Sequence, residues 1–277
     1  PRPDDHSGMA RFGASVIRSH RPLLVASVIT VVVLVSFIPR NDLNDVYSHW
    51  FDESFEFRRD TDFMEEHLTG LYAIDLVLDA GEAGGVAEPA FLDAVDRFSA
   101  WLRARPDIRS VTTITDTIKH VNRVMNYGDE AFYRVPQSRE LAAQYLLLYE
   151  MSLPYGLDLN NEVNVDKSAI RLVARADSMP TSEMLALEAD IRDWLAREAP
   201  AIAAGGGTGT ALMFSHIGER NIRSMLVATT LALVLISALL VLAFRSLRFG
   251  LLSLVPNLVP AAAGFGLWGI FVGEVGL

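Results

Sequence analysis

Two stretches hold residue types that could do chemistry. From Asn41 to Asp60, NDLNDVYSHWFDESFEFRRD brings together Asp42, Asp45, His49 and Asp52, carboxylates and an imidazole of the kind that ligate a divalent metal. No pair repeats a ligand spacing such as His-x-x-x-His, and the interleaved Trp50, Phe51, Phe55 and Phe57 indicate packing onto a domain or a bilayer interface. The second stretch, GGGTGT at Gly205 to Thr210, has the glycines of a phosphate cradle but not the Gly-Lys-Ser/Thr that closes a P-loop, so it reads as a flexible turn leading into a strand. The six histidines (His6, His20, His49, His67, His120 and His216) are scattered, there is no Gly-x-Ser-x-Gly elbow, and there is no cysteine. The expectation is a protein that is not an enzyme, with no catalytic residue, no metal and no cofactor.

Composition narrows the class further. The 277 residues are 51% hydrophobic and 21% charged, with a mean hydropathy of +0.25. That is too apolar for an ordinary soluble protein and too charged for a bundle lying wholly in a membrane. A formal net charge of −10 argues against nucleic acid, whose phosphates need basic patches.

Binding is the chemistry that remains, and one helix invites it. In SRELAAQYLLLYEMSLPYG, Leu141, Tyr145, Tyr149 and Leu153 recur every four residues, and Ala142, Leu146 and Leu148 widen the apolar surface beyond one stripe. Such a helix needs cover, and two readings stand: ordinary core packing, or an apolar substrate cleft lined by Leu141, Tyr145, Leu146, Tyr149 and Leu153. The elements around it read as α+β. YAIDLVLDA (Tyr72 to Ala80) alternates like a strand, and the stripe Phe91, Val95, Phe98 and Leu102 marks a helix ending at Pro106. DIRSVTTI is a second strand. The pattern recurs: SAIRLVARA (Ser168 to Ala176) is a strand, a helix follows with Met184, Leu187, Ile191, Trp194 and Leu195 on one face, and a closing strand is expected between Ile202 and Leu212. Both helices end alike, WLRARP at Trp101 and WLAREAP at Trp194, as in a duplicated β-α-β unit of ferredoxin-like type, with a helical insert at 115–165 between the copies. Trp101 and Trp194 are assigned to packing.

Three runs are apolar enough to cross a bilayer. They divide the chain into a cytoplasmic linker at 1–21, a span at 22–39, an outside domain at 40–221, a span at 222–244, a turn at 245–248 and a third span at 249–273. PRNDLND after the first run lacks a cleavage pattern, so that run is expected to remain as a span. Arg11, Arg18 and Arg21 share one side with Arg245 and Arg248, which serve as topology anchors and place the turn in the cytoplasm and the domain outside it. Pro256 and Pro260 should break or kink the third span, with Asn257 available to satisfy freed backbone groups. The pairs Ala262/Gly266 and Gly269/Gly273 suit close helix contact.

The order of these parts, with LVLAFRSLRFGLLSLVPNLVPAAAGFGLWGI (Leu240 to Ile270), resembles the resistance-nodulation-division (RND) superfamily in its MMPL-like branch of hydrophobe and lipid exporters. Phe244-Arg245-Ser246, Gly250 to Ser253 and Pro256-Asn257-Leu258-Val259-Pro260 carry the resemblance, together with FDESFEFRRDTDF and RELAAQYLLLYE. It implies a bacterial inner-membrane transporter with a periplasmic porter domain, a sterol, hopanoid or fatty-acyl substrate, and proton drive. It also implies two homologous halves, of which this chain, with its linker-like PRPDDHSG, resembles the first part of the C-terminal one. The proton relay is expected on a fourth span outside this sequence, and Glu274 is expected at the interface. The partners implied are the remaining spans, the other half and the hydrophobic cargo, with homo-oligomerisation and periplasmic partner proteins left open. The competing expectation is a membrane-anchored lipid-binding, sensing or secretion-accessory module that does not pump.

Overall fold

The computed structural model describes residues 8–41 and 51–273. Asp42, Asp45, His49, Trp50 and Glu274 lie outside the described residues. The chain divides into two compact units, one formed by Asp45–Arg220 and the other by Pro1–Asn44 with Asn221–Leu277.

In the first unit, helix α3 (Glu56–His67) leads into strand β1 (Tyr72–Asp79), helix α4 (Pro89–Arg103) and strand β2 (Ile108–Thr112). Helices α5 (Ile114–Met125) and α6 (Arg139–Ser152) intervene before strand β3 (Ala169–Ala176), helix α7 (Thr181–Glu198) and the short strand β4 (Ala203–Ala204). The strands form one sheet in the order β2-β3-β1-β4, every neighbouring pair antiparallel. Each β-α-β segment therefore joins two parallel strands that have a third strand between them.

The alternation read from the sequence is what builds this core. Tyr72, Ile74, Leu76 and Leu78 of β1 and Ile170, Leu172, Ala174 and Ala176 of β3 are all buried, as period-2 alternation requires when helices cover one face. Against them lie Phe91, Val95, Phe98 and Leu102 of α4 and Met184, Leu187, Ile191 and Leu195 of α7. The opposite face carries Asp75 and Arg171, paired at 2.7 Å. Trp101 and Trp194, the matching residues of the two helix ends, stack on each other with ring centroids 5.6 Å apart, and Phe98 sits 5.1 Å from Trp194. Arg105 lies over Trp101 and reaches Asp190 at 3.0 Å, so a cation caps the stack on its wet side.

The closing strand is shorter than expected. Only Ala203–Ala204 pair with β1, followed by a single bridge between Asp75 and Thr208. Gly209, at φ +131, then turns the chain, and helix α8 (Thr210–Phe244) begins. A Cβ at Gly209 would collide with the carbonyl of Ala73, so only glycine lets the chain turn this close to β1.

The second unit is helical: α1 (Gly8–Arg18), α2 (His20–Val35), the remainder of α8, and α9 (Leu247–Phe271). Arg245 (φ +49) and Ser246 alone separate α8 from α9, and Arg248 lies in the first turn of α9. Ser246 N–H donates to the Val241 carbonyl and Arg245 N–H to that of Leu242, the paired bonds that close a helix through a left-handed residue. Gly250 lies against Val241, where any Cβ would overlap that side chain. α9 runs unbroken through Pro256 and Pro260, so neither proline ends the helix. Asn257 is within it, its side chain outside what is described.

Close approach between α2 and α9 occurs at glycines. A Cβ on Gly266 would collide with the Leu34 carbonyl, and one on Gly269 would lie 2.5 Å from the Phe37 oxygen. Asn41 Nδ2 donates to the carbonyls of Phe265, at 2.9 Å, and Ile38, at 3.0 Å. Gly273 follows at φ +80, near the Arg40 carbonyl. Small residues and a side-chain amide bonded to backbone are how helices associate where no hydrophobic effect separates protein from lipid.

Candidate functional site

The helical insert is fastened before it offers any surface. Ser138 caps α6 by accepting from Leu141 N–H at 3.2 Å, and Thr113 accepts from Thr115 N–H at the start of α5. Lys119 of α5 reaches Asp96 of α4 at 2.5 Å and Asp116 at 3.3 Å, with the Tyr133 ring 4.9 Å from its ammonium. Burial alone would depress the Lys119 pKa, yet the Asp96 hydrogen bond and the charges of Asp96 and Asp116 outweigh it and hold the pKa above the ordinary lysine value. Arg139 bonds Glu88 at 2.6 Å and Glu82 at 3.3 Å at one end of α6, and Lys167 bonds Glu150 at 2.7 Å at the other.

Helix α6 turns its expected cleft face inward. Tyr145 and Leu146 are 8% and 2% exposed, and Leu141, Tyr149 and Leu153 are half-buried, the last two packed against the core. The outward face is apolar as well: Leu147 and Leu148 are exposed and Met151 is 76% exposed. Nearby in sequence, Met125, Tyr127, Tyr155 and Leu157 also stand in solvent. An apolar helix can hide one face and still present a second, and a run such as YLLLYEM does both.

Of the four residues weighed for metal, Asp52 is described. It accepts from Ser54 at 2.9 Å, and hydrogen bonds from Ser54 hold its pKa below the usual carboxylate value, the behaviour of a turn residue. No group of three histidines and carboxylates is placed to hold a metal among the described residues.

One cavity was not anticipated from the sequence. About 330 Å³ in volume, it lies between α7 and the Gly205–Gly207 loop, with Glu188 and Arg192 at its polar end and Ile191, Leu195 and Ile202 along its walls. The Glu188 side chain, 8% exposed, bonds His216 at 2.9 Å and Arg192 at 3.2 Å. The signal was available: Glu188 continues the spacing of Met184, Ile191 and Leu195, an acid set in the buried stripe of a helix.

Among the described residues, three helices are long and apolar enough to cross a membrane: His20–Arg40, Thr210–Ala243 and Leu254–Phe271. The model of the MMPL family matches residues 108–277, more than half of the chain. The chain belongs to the MMPL family. The match takes in the helical insert, the second β-α-β segment and the last two apolar helices. MMPL proteins are RND-type membrane transporters of lipids and other hydrophobes, and not enzymes, so this is a membrane protein of a family that handles apolar cargo. No curated protein matches the chain.

Proposed function

We propose that this MMPL protein is part of a bacterial inner-membrane RND-type transporter moving a hydrophobic or lipid molecule, such as a sterol, hopanoid or fatty-acyl compound, into or across the periplasm. Proton flux through spans outside this chain drives the movement. The observation that carries the reading is the family match running without interruption from an α/β unit through two apolar helices. Residues 40–221 form the periplasmic porter domain, and its two β-α-β units are ferredoxin-like. The order β2-β3-β1-β4 and the stacking of the equivalent Trp101 and Trp194 support that assignment. Arg245 and Arg248 mark the cytoplasmic turn by the positive-inside rule.

Cargo meets the domain on α6. Leu147, Leu148 and Met151 form the outward contact, and Leu141, Tyr149 and Leu153 line its edge. Tyr145 and Leu146 lie beneath, buried under that contact. The test is photolabelling of the full chain in nanodiscs with diazirine-bearing fatty acid and sterol. Peptides spanning 139–153 should be labelled, and Met151→Asp, on an exposed position, should cut labelling at least about fivefold, since burying an unpaired carboxylate against apolar cargo is costly. Labelling of that peptide untouched by Met151→Asp would remove α6 from the path.

A further inference from the structure

We infer that the cavity between α7 and the Gly205–Gly207 loop is a binding site for a small amphipathic molecule. The ligand would have an apolar body and one hydrogen-bond donor head group, an alcohol or an amine, set on Glu188. Three observations converge on this assignment.

The first is the acid itself. Glu188 occupies the buried stripe of α7 beside Leu187, Ile191 and Leu195, where a carboxylate is costly unless partnered. Its partners hold it unevenly. His216 takes Oε2 at 2.9 Å, whereas Oε1 has a longer bond, 3.2 Å, from Arg192, a side chain 65% exposed and free to swing. Oε1 is thus the oxygen with acceptor capacity to spare, and Arg192 can accompany an incoming group or yield to it.

The second is the glycine loop. Gly205, Gly206 and Gly207 all have φ outside the left-handed region, so backbone geometry does not require glycine at any of them. Packing explains Gly207, where a Cβ would stand 2.8 Å from Leu212. It does not explain the other two: a Cβ at Gly205 meets nothing within 4 Å, and one at Gly206 would stand 3.5 Å from Glu188 Oε1, an ordinary contact. What the missing side chains leave open is the approach to Oε1.

The third is the lining. Beyond Glu188 and Arg192 the walls are Ile191, Leu195, Pro200 and Ile202, and the volume of about 330 Å³ is at the lower end of what small-molecule pockets hold. An apolar enclosure with one fixed carboxylate selects a molecule with a hydrophobic body and a donor at one end. Arg192 is already paired with Glu188 Oε1, so a carboxylate head would have to compete with Glu188 for that cation, whereas a donor needs only Oε1. This site is separate from α6 and does not depend on the transport reading.

The experiment uses the full chain in nanodiscs and three ten-carbon probes with a terminal diazirine, an alcohol, an amine and a carboxylate, with labelled residues mapped by mass spectrometry. The alcohol or the amine should label Ile191, Leu195 or Ile202, and the carboxylate should not. Gly206→Leu, which fills the approach on an exposed loop without straining the backbone, should abolish this labelling and leave that of α2, α8 and α9 by the same probes unchanged. Glu188→Gln keeps the shape and removes the charge, so amine labelling should fall at least about tenfold while alcohol labelling falls less. Labelling by the amine alone identifies a cationic ligand, and labelling by both identifies a neutral donor. Labelling indifferent to Gly206→Leu, absent for both donors, or as strong for the carboxylate overturns the assignment. The α6 peptide plays no part in this readout, so failure here and failure of the transport reading are told apart.

Discussion

Two glycines of α9, two residues apart, should answer the same substitution with opposite signs. Replacing a helical glycine by alanine gains roughly 0.5–1 kcal/mol of backbone entropy and propensity where the new methyl has room. At Gly264 it has room, for a Cβ there meets nothing within 4 Å, so Gly264→Ala should stabilise by up to about 1 kcal/mol. At Gly266 the methyl runs into the backbone carbonyl of Leu34, which cannot swing aside as a side chain would. Overpacking of this kind costs about 1–3 kcal/mol. Separating α2 from α9 also stretches the 2.9 Å bond from Asn41 to the Phe265 carbonyl, the kind of bond worth about 0.6 kcal/mol between membrane helices. After the propensity gain, Gly266→Ala should destabilise by about 1–3 kcal/mol, and the two variants should differ by roughly 2–3 kcal/mol, about 30- to 160-fold in the unfolding equilibrium. Unfolding by SDS in mixed micelles, followed through Trp268 on the same helix, reads the difference. Equal responses, or a stabilising Gly266→Ala, would refute the α2–α9 crossing and the packing role given to Gly266 and Gly269.

Other outcomes follow from the α/β unit and the topology. Phe98→Ala empties a fully buried site beside Trp194 and should cost about 3–5 kcal/mol, seen as faster hydrogen exchange in β1 and β3. Lys119, with its native pKa raised, contributes stability that is whole below the unfolded value of about 10.4 and is lost as pH rises through the higher native value. Lys119→Met should therefore flatten the alkaline end of the stability profile, and an unchanged profile would show that Asp96 and Asp116 do not hold the ammonium. Because the chain has no cysteine, single introduced thiols report topology cleanly: Tyr127→Cys, at a fully exposed tip, should react with an impermeant maleimide in spheroplasts, whereas Ser246→Cys should react only after lysis. The reverse pattern would invert the proposed orientation.

Much of the architecture is written in local periodicity. The alternation in Tyr72 to Ala80 and the 4-3-4 stripe from Phe91 to Leu102 each report one buried face, and the structure buries those faces. Where two faces compete, periodicity falls silent. Helix α6 is apolar nearly all round, so its sequence could not say whether Tyr145 or Met151 meets the core; packing against α5 and the Gly85–Ala87 turn settled that. The closing strand was overextended because three consecutive glycines carry no side chains to alternate, and because Thr210 onward has as much apolar content as a strand while forming helix. The prolines of α9 were expected to break or kink the helix, and it does not break: a Pro in an apolar helix removes only its own N–H bond and crowds one carbonyl, which a packed helix can absorb. Glu188 was legible as an acid at a core position, but the cavity beside it depends on a loop that arrives from eighteen residues later in the chain.

The most direct test of the central claim is transport itself. The protein, expressed with the sequence that flanks it in its reading frame, is reconstituted into vesicles containing fluorescent fatty acid and sterol, and a pH gradient is imposed across the membrane. The account predicts that labelled lipid leaves the donor membrane faster with the gradient than without it, and that a protonophore abolishes the difference. Lipid release indifferent to the gradient, or none above protein-free vesicles, would contradict a proton-driven transporter and leave a membrane-anchored lipid-binding module in its place.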